Sequence, residues 1–393
     1  MVVCLYRVLL IPSQDYARHP HITRHHHLFE NFDDRFKVTV LNVRLRVGPT
    51  TRETKHEVVE VGLPTNRILR SYVLAYATFH LKLARLVKSE RYDCVILSNV
   101  ISPVIPLLVS GRPLVFDYKD VYSLSASAPF VSPTKPLVQW AARLFEQILF
   151  KFPMTVVVPS PSMQRLVRDR FKTDSILIPN GVNTALFHPI SEGERRQVRS
   201  ELELIQGEFG LCYLGSIENW LDLETVVQAL VTLDSLKLIL IGGPPRSASY
   251  LDYILDLCEK KKVRDRVILT GFKPQAEAAK IVASCDAAII PFSLQSELSA
   301  VALPDKAFEY LACGVPVIST RIPDVEELFH DCVYFYDTKE DLTRILKDLL
   351  THSERKCTPA KQIAKAIAYD WKLLSETYER LIVRLVRDQA KEQ

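Results

Sequence analysis

Lys306 and Glu309 stand three residues apart in the segment 292–320, FSLQSELSAVALPDKAFEYLACGVPVIST. In a helix that spacing puts both on one face, close to the amino end. Pro304 suits the first turn, whose N–H groups lack partners in any case. Gly314 is predicted to end the helix in a left-handed cap, with VPVIST following as a buried strand. A helix amino end offers unpaired N–H groups and a partial positive charge, and Lys306 adds a full one, a combination suited to a diphosphate. The Glu309 carboxylate can accept two hydrogen bonds from vicinal hydroxyls such as those of a ribose. The same spacing equally fits a plain surface ion pair on a capped helix.

Two further groups of residues can bear chemistry. Asp117 and Asp120 in FDYKDVYS (116–123) follow an apolar strand. A carboxylate there can take the proton of an attacking hydroxyl, or simply cap a turn. Five of the ten histidines (His19, His21, His25, His26 and His27) crowd into ARHPHITRHHHLFE. Only His21 and His25 have i,i+4 spacing; a helix starting near Thr23 is expected at the end of the first strand, bringing Arg24 and one histidine to an acceptor or phosphate.

Glycine is scarce, 12 in 393 residues, about 3% against a usual ~7%. Each is therefore expected where backbone geometry demands it. Gly215, the pair Gly242–Gly243 and Gly271 all follow apolar strand-like runs, where the backbone can approach a ligand closely. With Gly314 they fall in the second half, which points to that half for nucleotide binding.

The elements that must position these residues alternate along the chain. Strands are expected at 5–11, 37–43, 56–61, 93–97, 113–117, 155–158 and 175–178, then at 209–214, 236–241, 266–269, 286–290, 315–319 and 333–335. Helices are expected at 22–33, 67–90, 136–152 and 161–171, then at 222–233, 248–262, 274–284, 304–313, 323–330, 339–351 and 370–390. Continuous apolar strands alternating with helices imply an α/β chain with parallel sheets covered on both faces. Two such series imply two facing Rossmann-like doubly wound domains, 1–187 and 188–393, with the polar stretch 188–208 as the junction. Ligands then bind at the carboxyl ends of the strands, in an interdomain cleft.

Composition adds boundaries. The net charge of +4 is too mild to argue for nucleic acid. The charge is uneven, however: residues 1–187 hold 24 Lys/Arg against 14 Asp/Glu, and the remainder 26 against 32. The stretches 67–88 and 135–152 are apolar with basic punctuation, which fits either helices covering a sheet or a surface for anionic lipid. Residues 94–111 carry no charge, but Pro103 and Pro106 break them into a strand, a turn and a short helix rather than a membrane span. Eight scattered cysteines without a C-x-x-C pair, several in apolar runs, read as small hydrophobes in a reducing, cytoplasmic setting. The start MVVCLYRVLLIP reads as a strand rather than a signal peptide.

The segment P-D-K-A-F-E-Y-L-A-C-G-V-P-V-I (304–318) resembles the donor-binding motif of GT-B glycosyltransferases, in particular family 4 and the related group 1 transferases. PSPSMQRLV (159–167), ILIPNGVNTALFHP (176–189), YLGSIENWLDLETVVQAL (213–230), LILIGGPP, VILTGFKP and CDAAIIPF resemble the same group in order and spacing. The resemblance covers about 160–390 and fades in the first third. It implies a metal-free, retaining glycosyltransferase that moves a sugar from a nucleotide-sugar donor to a glycan or lipid-linked acceptor, with the final helix crossing back to the first domain. Gly215, Ser216, Gly243, Phe272, Lys273, Leu303, Lys306 and Glu309 are implied as donor contacts, Lys306 facing the diphosphate and Asp120 orienting sugar or acceptor. Two departures stand out. Val301 occupies the place of a first glutamate eight positions before Glu309, and Ser216 and the residues around Leu221 replace a basic pair. A subgroup with a W-x-D after the strand, here Trp220 and Asp222, is similar. A nucleotide-sugar 2-epimerase and a catalytically degenerate donor-binding subunit are the alternatives on this fold.

Overall fold

The computed structural model describes residues 5–19, 22–44, 52–62, 69–100, 102, 104–125, 134–242, 248–297, 299–351 and 355–392. The chain divides into two compact units, one of 1–179 with 371–393 and the other of 180–370.

The first unit is built on seven parallel strands: β1 (Tyr6–Pro12), β2 (Phe36–Arg44), β3 (Glu57–Gly62), β4 (Cys94–Ser98), β5 (Leu114–Asp117), β6 (Thr155–Val158) and β7 (Ser175–Leu177). Their order is β3-β2-β1-β4-β5-β6-β7, so it reverses between β1 and β4. Helices are α1 (Arg24–Phe29), α2 (Leu69–Ser89), α3 (Val104–Leu108), α4 (Tyr122–Ser125), α5 (Thr134–Leu149) and α6 (Pro161–Phe171). Every crossover from β3 onward steps the same way along the sheet. Right-handedness therefore puts α2, α3, α5 and α6 on one face and α1 on the other. The α1 face is closed by the C-terminal helix Trp371–Glu392, whose Trp371, Leu374, Tyr378 and Ile382 join Leu28, Phe29 and Phe32 in one core.

The second unit contains β8 (Phe209–Leu214), β9 (Leu236–Ile241), β10 (Val267–Gly271), β11 (Ala287–Ile290), β12 (Val317–Thr320) and β13 (Val333–Tyr336). All are parallel, in the order β10-β9-β8-β11-β12-β13. Its helices are α7 (Glu192–Glu201), α8 (Leu223–Thr232), α9 (Ala248–Lys260), α10 (Gln275–Ser284), α11 (Asp305–Ala312), α12 (Pro323–Phe329), α13 (Lys339–Leu350) and α14 (Pro359–Ile367). Two cores result. One lies under α10, α11 and α12, and the other under α8, α9 and α13.

Several expectations need revision. The units part at 179/180 rather than 187/188, because Val182 N–H donates to Tyr369 O (3.0 Å) and Phe187 packs in the second unit's core. The expected junction holds α7, a helix with no buried residue; a Ser191–Glu194 capping box starts it, and Arg195 and Arg199 tie it to Asp286. Pro304 is the N-cap of α11, in extended conformation, rather than its first helical residue. Cys332 and Cys357 form a disulfide; Cys94, Cys212, Cys258, Cys285 and Cys313 are free and buried. Among the described residues no helix is long and apolar enough to cross a membrane.

Candidate functional site

In the second unit the strand order reverses between β8 and β11, and the loops leaving these two strands are tied together. Asp222 N–H donates to Pro291 O and Ser293 N–H to Trp220 O, each at 2.7 Å. Asp222 also caps α8 by accepting from Thr225 N–H at 3.2 Å. A crevice at such a switch point is where open α/β sheets bind ligands.

Glycines form its floor. Gly215 leaves β8 at φ +139°, and its N–H donates to Ile241 O at 2.9 Å. One strand over, Gly242 N–H donates to Gly271 O at 3.1 Å. Gly271 sits at φ +67°, with open space where a Cβ would be. Gly243, expected beside them, lies outside the described residues.

Lys306 reaches this point from the first turn of α11. Its ammonium lies 5.0 Å from the Phe292 ring centre and 5.5 Å from that of Tyr213. A Cβ on Gly215 would be 3.6 Å from Nζ. Among the described residues no carboxylate comes within salt-bridge distance of it, Glu309 included, so the two do not form a plain surface ion pair. Burial pulls the Lys306 pKa down, and the Glu309 and Asp305 carboxylates oppose that only in part. Burial pushes Glu309 up, Asp305 adds to the rise, and Lys306 with a hydrogen bond from Gln275 works against it. Each group is thus more costly in its charged form than in water, a state that a bound ligand of suitable charge relieves.

The remaining expected donor residues are spread along the same edge. Ser216 is exposed, its carbonyl accepting from Tyr213 O–H at 2.9 Å. Leu303 is buried, and its carbonyl accepts from Asn180 Nδ2 at 3.0 Å. Phe272 is largely exposed, while Lys273 lies 3.7 Å from Glu277 in a surface pair. Val301 falls in the 3-10 turn Ser299–Val301. Sequence reasoning missed the two rings that seat Lys306, and also Tyr310, whose hydroxyl accepts from Leu214 N–H at 2.7 Å and fixes the end of β8. The only signal for the two rings was an aromatic near the carboxyl end of each apolar strand, Tyr213 within β8 and Phe292 two residues past β11.

In the first unit Asp117 and Asp120 have separate fates. Asp117 is wholly buried, with Arg24 Nε 3.4 Å from Oδ2. Burial raises its pKa, and Arg24 and Lys119 resist. The Arg24 guanidinium also donates to Ile178 O and Pro179 O at 2.7 Å each. Arg24 therefore knits α1 to the carboxyl ends of β5 and β7. Asp120 is accessible at the carboxyl end of β5, its N–H donating to Asn99 Oδ1 at 3.3 Å.

Three of the five histidines pack within the first unit. His25 is buried against Ser98 Oγ and kept neutral by burial. His26 is buried between Thr23 and Tyr16 O, and burial pushes its pKa down to about 4. His27 stacks on Trp371 at 4.9 Å, and His21 lies outside the described residues. Among the described residues no three His, Cys, Asp or Glu side chains group to hold a metal ion.

Residues 194–366 match the family model of the glycosyl transferases group 1, and residues 23–186 that of glycosyltransferase family 4. The chain belongs to these glycosyltransferases. Over 143 residues this glycosyltransferase is 27% identical to the D-inositol 3-phosphate glycosyltransferase of Mycobacterium marinum, covering 36% of the chain and 29% of that relative. It spans less than two thirds of the length of the curated relatives it matches. The fold is that of solved GT-B structures. Sucrose-phosphate synthase from Thermosynechococcus elongatus superposes with a TM-score of 0.75 at 17% identity, over 98% of this chain and 100% of its own. Anabaena HepE, solved with UDP-glucose, gives 0.73 at 15% identity, over 96% and 99%.

Proposed function

We propose that this glycosyltransferase moves a sugar from a nucleotide-diphosphate donor to a glycan or lipid-linked acceptor, with retention and without a metal ion. The observation that carries the reading is the half-buried Lys306 ammonium at the β8/β11 switch point, with no carboxylate partner among the described residues. The start of α11 and Lys306 supply the positive charge a diphosphate needs. Glu309 accepts from the ribose hydroxyls and Phe272 lies against the base. That HepE was solved with UDP-glucose supports a donor of this class. The relatives above are transferases, so the 2-epimerase alternative has no support from them.

In the transfer, the bond between the anomeric carbon and the β-phosphate oxygen breaks, and the acceptor oxygen bonds to that carbon on the same face. The acceptor's proton passes to the departing phosphate, leaving a nucleoside diphosphate and a glycoside. Lys306 stabilises the negative charge that grows on the phosphate, the part of the reaction on which electrostatics acts most. Asp120 orients the sugar or the acceptor from the first unit.

A panel of nucleotide sugars, screened by thermal stabilisation and then by transfer, tests the assignment. A donor that stabilises the wild type and fails to stabilise Lys306→Ala is expected. Equal transfer by Lys306→Ala would sink the phosphate role. Val301, which leaves the sugar ring without a carboxylate contact, favours one rival: a subunit that binds donor without reacting. Nucleotide binding by calorimetry with no transfer to any acceptor would establish that rival.

A further inference from the structure

α5 faces the wrong way for a helix that merely covers a sheet. The side it turns inward carries Ala142, Leu149 and a buried carboxylate, Glu146. That carboxylate accepts from Tyr118 O–H at 2.6 Å, Ser123 N–H at 3.2 Å and the Arg170 guanidinium at 3.0 Å. The side it turns outward is apolar: Leu137 is 67% exposed, Trp140 63%, Leu144 42% and Ile148 36%. Steps of three, four and four residues place these four on one stripe. Phe145, also exposed, borders it.

The described exposed charges on α2, α3 and α5 have one sign, whereas α6 on the same sheet face pairs Arg168 with Asp169. Arg143 on α5 and Lys151 just beyond it are exposed. Of the described side chains on α2, α3 and α5, the sole carboxylate is Glu146, which is buried and paired with Arg170. Among the described side chains of α2 the exposed charges are Arg85 and Lys88. α2 and α3 lie on the same sheet face as α5, and each exposes a leucine there, Leu81 and Leu107.

We propose that α5 docks this glycosyltransferase on an anionic lipid bilayer. The helix lies in the plane of the headgroups, its stripe at the acyl boundary and its flanking cations on lipid phosphates. At 16 residues it is about 24 Å long, too short to span and well suited to lie flat. A second copy of the chain is a poorer occupant, because a two-fold contact centred on the stripe would set Arg143 against its own counterpart. The proposal does not depend on the donor assignment.

Flotation tests it, with vesicles of phosphatidylcholine alone and of phosphatidylcholine with about 30 mol% phosphatidylglycerol. Binding to the anionic vesicles is expected, falling severalfold at about 0.5 M salt. Leu137→Glu with Leu144→Glu should cut the bound fraction about tenfold or more. Trp140 emission should shift to the blue on binding, and the shift should vanish in Trp140→Phe. All the substituted side chains are exposed, so unchanged melting and unchanged nucleotide binding verify folding and keep this result separate from the donor assignment. Three results would overturn the proposal: no binding to anionic vesicles at either salt, undiminished binding by the double variant, or a dimer that Leu144→Glu dissociates without any vesicle binding.

Discussion

A Cβ on Gly242 would overlap the carbonyl oxygen of Gly215 and lie 3.0 Å from its carbon. The two glycines end adjacent strands, and their backbones meet where side chains ordinarily keep strands apart. Gly242→Ala must push β8 away from β9, so a loss of about 1–3 kcal/mol is expected, the usual range for overpacking. Urea unfolding would measure it. The displaced Gly215 carries the edge of the crevice with it, so donor affinity should fall in the same variant even far below its melting temperature.

Lys306→Met should separate stability from binding. A lysine whose pKa is lowered on folding binds fewer protons folded than unfolded, so stability rises with pH as the folded form loses its proton. At neutral pH the charged side chain is a cost to the fold, and its removal should leave the melting temperature unchanged or higher. Donor binding should be lost. A lower melting temperature with intact binding would contradict both expectations.

Nucleotide affinity should be bell-shaped in pH. Glu309 offers both oxygens as acceptors, with full negative charge, only when ionised, and its pKa is raised, so affinity should climb as the pH passes upward through that value. Lys306 must stay charged, and its pKa is lowered, so affinity should decline again on the alkaline side. Calorimetry across the range, repeated on Glu309→Gln and Lys306→Ala, should show the acid limb gone in the first and the alkaline limb gone in the second.

The two carboxylates after β5 should respond differently. Arg24→Met strands Asp117 in the interior and should lower stability by about 3–5 kcal/mol, the cost of breaking a buried pair from one side. Asp120→Asn should barely alter unfolding while reducing turnover. Chemical denaturation and a transfer assay on both variants would check the division.

Phe272→Ala should raise the donor KM about two- to tenfold with little change in kcat. The size is that of one aromatic stacking contact, about 0.5–1.5 kcal/mol. Steady-state kinetics with the donor varied would measure the split.

The strand bounds 155–158, 209–214 and 236–241 and the helix 161–171 can be read directly from the sequence, because apolar runs between punctuating residues leave few alternatives. The lysine, the glutamate and the strand-end glycines of the crevice at the β8/β11 switch point were legible from spacing and resemblance. What was illegible depended on long-range packing. α7 has no apolar stripe to betray it, although its S-x-x-E capping box was visible. The burial of His25 and His26 could not be read from a run of histidines. The rings of Tyr213 and Phe292, nearly eighty residues apart, meet around Lys306 only because the strand order reverses between them.

Val182, two residues into the second unit, forms a bridge with Asp370, its last residue, so the two ends of the unit are fastened together. The second unit is an excursion that starts and ends at one place. Its strands and both its cores lie wholly between those ends. A gene fragment encoding 180–370 carries every strand of the second unit's sheet, and joining its ends with a few residues and opening a surface loop would give a circular permutant with the same sheet order.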